Sequence, residues 1–191
     1  MKIKQIAAIK TGYPFRGKIE ESVGSDVVAV QMKDASPTMG VSWETCVKTQ
    51  LEGKREPDFL VAGDILFAAR GNKNYSTLID ERIARGRAVA SPHFYIISIT
   101  QKNIIPEYLV WFLNQAPCQR YFDSSSEGTL TKSIRRSVLE ETKIAIPELK
   151  KQHAIIELAK TLIDEQQLIQ QLIQNGEALM STIANDLMND I

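Results

Sequence analysis

Five residues, Arg70, Asn72, Lys73, Asn74 and Tyr75, crowd a polar loop directly behind the apolar run at 65–69. Arginine and asparagine are the side chains that reach guanine and adenine edges with two hydrogen bonds each. Arg82, Arg85 and Arg87 follow within a few residues. Thr129, Thr131, Lys132, Arg135 and Arg136 add hydroxyls and cations where a loop is predicted to enter a helix, a natural seat for phosphate. Arg16 and Lys18 stand in a loop punctuated by Gly12, Pro14 and Gly17. Each cluster by itself is what solvated surface looks like. Three basic loops on one otherwise near-neutral domain predict a nucleic-acid-binding surface.

Other chemistry finds little support. His93 and His153 are the only histidines, and neither has cysteine or carboxylate neighbours at metal-ligand spacing. There is no G-x-S-x-G, no phosphate-cradling loop and no glycine-rich turn behind a strand of the kind that binds S-adenosylmethionine or a dinucleotide. Adjacent acids such as Glu20-Glu21 and Glu140-Glu141 diverge in a strand or helix and read as solvated charge. An enzyme is disfavoured.

The 191 residues allow one domain and an extension. With 43% apolar and 24% charged residues, the composition is that of an ordinary globular chain. The formal charge of zero is unevenly spread: residues 1–149 carry +3 and residues 150–191 carry −3. No run approaches the ~20 apolar residues of a membrane span, which leads to the expectation of a cytoplasmic protein. Cys46 and Cys118 lie far apart without a C-x-x-C pattern and are expected to be reduced and structural.

Several elements must position the basic loops. Strands are predicted at 27–32, around 45–49, at 65–69, at 88–90 and at 94–99, with a closing strand at 143–146. A helix opens at Pro106, where a missing N–H costs nothing, a second helical piece covers about 117–122, and a third is predicted over 132–140. Short strands interleaved with short helices, without regular βαβ alternation, imply an α+β domain with a mixed, curved sheet. Residues 1–147 form this domain.

Residues 148–191 read as one long amphipathic helix. Ile155, Leu162, Ile169, Gly176 and Ile183 recur at seven-residue intervals, flanked by Leu158, Leu172, Ile173, Leu179, Met180 and Leu187. Such a rod, roughly 60 Å long at ~1.5 Å per residue, overhangs any domain this chain builds, so its stripe calls for a second helix. The expected contacts are Ile155, Leu162, Ile169, Leu172, Gly176 and Ile183, with an antiparallel mate crossing near Ile169 and Leu172.

Taken in order, these pieces resemble the specificity (S) subunit of Type I restriction-modification systems. The resemblance runs over nearly the whole chain. It comprises Thr11-Gly12-Tyr13-Pro14-Phe15, then Leu60-x-x-Gly63-Asp64-Ile65-Leu66-Phe67-Ala68-x-Arg70-Gly71, and Ser91-Pro92-x-Phe94 before a strand. Pro106-x-Tyr108-Leu109, Glu127-Gly128-Thr129 and Ile146-Pro147-x-Leu149-x-x-Gln152 complete it. No single piece is specific; their order and spacing are. The resemblance implies a target recognition domain that reads half of a bipartite DNA target, followed by a helix that spaces such domains. It also implies a non-catalytic chain that docks a modification (methyltransferase) subunit and, through it, a restriction subunit. No cofactor is then held by this chain, S-adenosylmethionine being bound by the methyltransferase.

The chain departs from the family's usual pair of domains and helices by holding one of each. Either it is a partial subunit, or two copies assemble and read an inverted repeat, the half-sites about one DNA turn (~34 Å) apart. A coiled-coil scaffold or regulator that uses the same fold without reading DNA is the competing interpretation.

Overall fold

The computed structural model describes residues 1–52, 56–128 and 132–189, with Ala84 and Arg85 described by their backbone alone. The described residues form eleven short strands, four α-helices and four 3-10 turns. The first half holds β1 (Ala7–Thr11), β2 (Val27–Val30), β3 (Ala35–Ser36), β4 (Gly40–Val41), β5 (Val47–Lys48), β6 (Ile65–Ala68), β7 (Arg70–Gly71) and β8 (Ser76–Leu78). The second holds β9 (Arg87–Ala90), β10 (Phe94–Ile99), α1 (Pro106–Leu113), α2 (Ala116–Ser125), β11 (Lys132–Ser133), α3 (Arg136–Glu141) and α4 (Leu149–Asn189). The chain divides into two units, Met1–Gln152 and His153–Ile191.

The larger unit is α+β with mixed pairing, as the sequence pattern predicts. One antiparallel sheet runs β1-β10-β6-β8. Its centre, β6, is buried along its whole length, which is why 65–68 shows no polar alternation. A second sheet, β5-β2-β9, pairs β2 with β9 in parallel and with β5 antiparallel. Val30, Leu66, Ala68, Ile79, Ala88, Phe94 and Ile96 share one core cluster between these layers. On the other side of the first sheet, Phe67 meets Phe122 of α2 edge-on, ring centroids 4.9 Å apart.

The Leu60-x-x-Gly63-Asp64 segment is a turn built to launch β6. Gly63 adopts φ +89°, open to glycine at little cost, and its N–H donates to the Ile79 carbonyl at 2.9 Å. The buried Asp64 carboxylate accepts from the Val61 N–H at 3.0 Å and from the Ser98 hydroxyl at 2.7 Å. A carboxylate satisfied in this way tolerates burial.

Two predicted elements differ. The 132–140 helix is instead strand β11 followed by α3: Lys132 and Ser133 pair with Gly71 and Arg70, and the helix starts only at Arg136. The 143–146 segment is not a strand; it makes a single bridge, Lys2 to Lys143. Local β-branched content there is outweighed by the N-terminus, whose Met1 backbone exchanges hydrogen bonds with Ile144 at 2.7 and 2.8 Å.

Gln152 is fully buried in the larger unit. Its Oε1 accepts from the Ile105 N–H at 3.0 Å, and its Nε2 donates to the carbonyls of Asn103 at 2.9 Å and Pro147 at 2.7 Å. The unpaired N–H groups at the start of α1 are thereby partly satisfied from outside the helix.

The smaller unit is helical throughout its described length, within the uninterrupted α4. Leu162, Ile169, Leu172 and Ile183 are exposed on it, Leu172 at 71%, and Ile155 is half-buried. A Cβ placed on Gly176 would meet nothing within 4 Å. No described helix is long and apolar enough to cross a membrane.

Candidate nucleic-acid interface

Because β2 and β9 run parallel in register, Val30 opposite Ala90, the residues that follow each strand emerge at the same sheet edge. After β2 the chain makes a 3-10 turn, Met32–Asp34. Buried Asp34 holds it, its carboxylate accepting from the Gln31 N–H and the Thr45 hydroxyl, both at 2.9 Å. Lys33 is left exposed at the turn's tip. After β9, Ser91, Pro92 and His93 form the connection into β10, and the His93 carbonyl accepts from the Ala69 N–H at 2.9 Å. That bond brings Arg70 alongside. The carboxyl ends of parallel strands are where α/β sheets commonly bind ligands.

A third wall comes from the Tyr13–Lys18 loop. Gly12 donates to the Phe94 carbonyl at 3.0 Å and Tyr13 to the Ala90 carbonyl at 2.8 Å, so the loop is pinned across the end of β9. Phe15 packs edge-on against Tyr13, centroids 4.9 Å apart and planes at 67°. The three walls enclose a groove of about 750 Å³ lined by Phe15, Lys18, Ile19, Met32, Lys33, Arg70, Ser91, Pro92 and His93 among others. Among the described residues no carboxylate lines it. Lys18, Lys33 and Arg70 are exposed and make no ion pair among the described residues.

The remaining predicted contact residues are placed elsewhere or differently. Arg16 lines a neighbouring cleft of about 450 Å³ together with Glu20, Glu21 and Glu52, and Phe15, Lys18 and Ile19 border both that cleft and the groove. Asn72 and Lys73 are exposed on the loop behind β7. Asn74 and Tyr75 are buried, which removes both from the exposed set: the Asn74 amide donates to the Ala68 carbonyl at 2.8 Å, and the Tyr75 hydroxyl bonds to the carbonyls of Met32 at 3.2 Å and Ala35 at 3.0 Å. Burial, with Asp34 nearby, raises the Tyr75 hydroxyl above its ordinary pKa and keeps it a neutral donor.

Arg85 ends the 3-10 turn Glu81–Arg85, and Arg87 opens β9, at the strand end opposite the groove. The Arg87 guanidinium stacks 4.1 Å from the Phe59 ring centroid. Thr129 and Thr131 lie outside the described residues. The rest of that cluster is charge-compensated: Lys132 pairs with Asp123, Arg135 donates to Glu127 at 3.0 Å, and Arg136 to Glu140 at 2.7 Å. Sequence reasoning missed Lys33 and His93. Each stands alone in the sequence, and only the parallel β2–β9 pairing brings them to Arg70.

No group of three or more His, Cys, Asp or Glu side chains suited to a metal ion occurs among the described residues. Cys46 and Cys118 are free thiols. Burial pushes them up, to about 12 and about 11 respectively, so neither is a ready nucleophile.

Residues 1–175 match the family model for the Type I restriction modification DNA specificity domain. The chain belongs to that family. Among solved structures, the fold of this specificity-domain chain is similar to that of the Type I restriction-modification S subunit from M. genitalium. The TM-score is 0.58 at 14% identity, over 91% of this chain and 41% of that one. The HsdS subunit from Thermoanaerobacter tengcongensis gives 0.59 at 16% identity, over 90% and 43%. A chain from a structure on complex assembly and conformational transition of the type I R-M system gives 0.65 at 16%, over 90% and 43%. The chain thus spans about two fifths of the length of the structures it matches. A comparison with curated proteins gives no match.

Proposed function

We propose that this chain is a DNA-sequence-recognition subunit of a Type I restriction-modification system. It reads one half of a bipartite target in double-stranded DNA and docks a modification (methyltransferase) subunit, through which a restriction subunit joins. The observation that carries the DNA-binding reading is the convergence of Lys18, Lys33 and Arg70, without carboxylate partners among the described residues, on one groove at the ends of β2 and β9. Cations placed so exchange condensed counterions for phosphate contacts, while arginine is suited to a guanine edge. Membership of the specificity-domain family supplies the biological frame.

In this reading the chain binds and positions, performs no bond chemistry, and leaves S-adenosylmethionine to the methyltransferase in the cytoplasm. Two copies pair through the exposed stripe of α4, so that two identical domains meet an inverted repeat. The test is binding of duplex DNA to the full chain with its methyltransferase subunit, as a function of salt. Wild type is expected to lose affinity steeply with salt, and Lys18→Ala, Lys33→Ala and Arg70→Ala each to lower the slope by about one contact. Arg70→Ala is further expected to blunt preference among base-substituted targets. Arg136→Ala, whose charge Glu140 offsets, is expected to change the slope less. Salt-independent binding, or none, would reject the reading and favour a scaffold.

A further inference from the structure

The groove's walls are not those a duplex alone would use. An intact double helix offers phosphates, sugars and base edges, whereas base faces are hidden in the stack. Beside Lys18, Lys33 and Arg70, the groove is lined by the apolar side chains of Phe15, Met32 and Pro92. The Phe15 ring is half-buried and braced edge-on by Tyr13. Ser91, only 2% exposed, also borders the groove, but its hydroxyl is itself buried, without a hydrogen-bond partner among the described residues. An aromatic ring on an apolar wall beside three cations that make no ion pair among the described residues suits a ligand that is flat and tethered to a phosphate.

We propose that the groove accepts an unpaired nucleotide, its base against Phe15 and its phosphates on Lys18, Lys33 and Arg70, so that the domain prefers DNA with an extrahelical base over intact duplex. Three cations and no carboxylate among the described lining residues give the charge complementarity this requires. Base–aromatic stacking tolerates any sequence because every base has a π-face, and unstacking costs least when the base has no partner. Such a site works beside the readout of base edges rather than replacing it. The inference rests on the DNA-binding function proposed above and adds a second DNA form to it.

The test compares the full chain on two fluorescein-labelled duplexes of the same sequence, one intact and one with a single central unpaired thymine, by anisotropy at fixed salt. The unpaired thymine is expected to tighten binding about tenfold, the order of one stacked base. Phe15→Leu, which keeps apolar volume but loses the ring, is expected to bring the ratio of the two affinities toward one. A thermal melt checks that this variant folds; if it does not, the wild-type ratio decides alone. A wild-type ratio near one, or a ratio unchanged in folded Phe15→Leu, overturns the inference, and tight binding to both duplexes then leaves the double-strand reading standing. Binding to the bulged duplex alone keeps the inference and overturns that reading, and binding to neither overturns both.

Discussion

Gly12 lies against the Ser91 peptide so closely that a Cβ on it would stand 2.0 Å from the Ser91 carbonyl oxygen and 2.8 Å from that of Ala90. Both neighbours are backbone and cannot rotate away. The approach lets the Tyr13–Lys18 loop dock across the end of β9 and form one wall of the groove. Gly12→Ala is therefore expected to destabilise the domain by at least the ~1–3 kcal/mol typical of overpacking. Urea denaturation measures this, and an unchanged midpoint would refute the close approach.

Asn72 and Asn74, two residues apart, are expected to respond oppositely to truncation. Asn74→Ala removes a buried donor from the Ala68 carbonyl and should cost about 1–3 kcal/mol. Asn72→Ala, at an exposed position, should stay within ~0.5 kcal/mol. Paired urea titrations distinguish the two, and equal effects would contradict the inward placement of Asn74.

Gln152→Ala leaves the Ile105 N–H and the Asn103 and Pro147 carbonyls without their shared partner. The expected loss is about 2–4 kcal/mol, the penalty of several buried groups left unsatisfied less what water recovers. Hydrogen exchange should show the first turn of α1 opening more readily in the variant. Protection equal to wild type at Ile105 would count against the role.

Glu141 joins the N-terminal segment to α3 by pairing with both Lys2 and Lys4. These hydrogen bonds hold its carboxyl at about 2, well below the ordinary carboxylate value. A depressed folded-state pKa contributes stability above the unfolded value, and that contribution is lost as pH falls from about 4.5 toward about 2. The pair is solvent-exposed, so the effect is modest. Glu141→Gln should flatten stability against pH in that window and leave its shape near neutrality unaltered. Superimposable wild-type and variant acid profiles would remove Glu141 from the acid transition.

Ile169 and Leu172 are exposed in the richest part of the α4 stripe. If two copies pair there, Ile169→Asp combined with Leu172→Asp should convert a dimer to a monomer in sedimentation equilibrium, because it buries charge at the seam. A wild-type chain that is monomeric at micromolar concentration would exclude the pairing.

The long helix, the buried strand β6, the Pro106 helix start and the α+β class were all legible from local pattern. Each depends on periodicity or on a proline whose constraint is local. Local pattern predicts a helix over 132–140, whereas β11 owes its strand to pairing with β7, a partner about sixty residues away in sequence. Asn74 and Tyr75 are predicted contacts that the structure buries, because a polar loop gives no sign of which side chains turn inward.

Residue types and spacing by themselves determined that this chain is a basic-looped α+β domain with an amphipathic helix, and they carried the family resemblance. Only tertiary structure decided which cations lie together. Parallel pairing of β2 and β9 and the Gly12 approach bring Lys18, Lys33, Arg70 and His93 to one groove. Salt partners meanwhile offset Lys132, Arg135 and Arg136. Electrostatic fields act through space, and the distances that set them follow strand register rather than sequence separation.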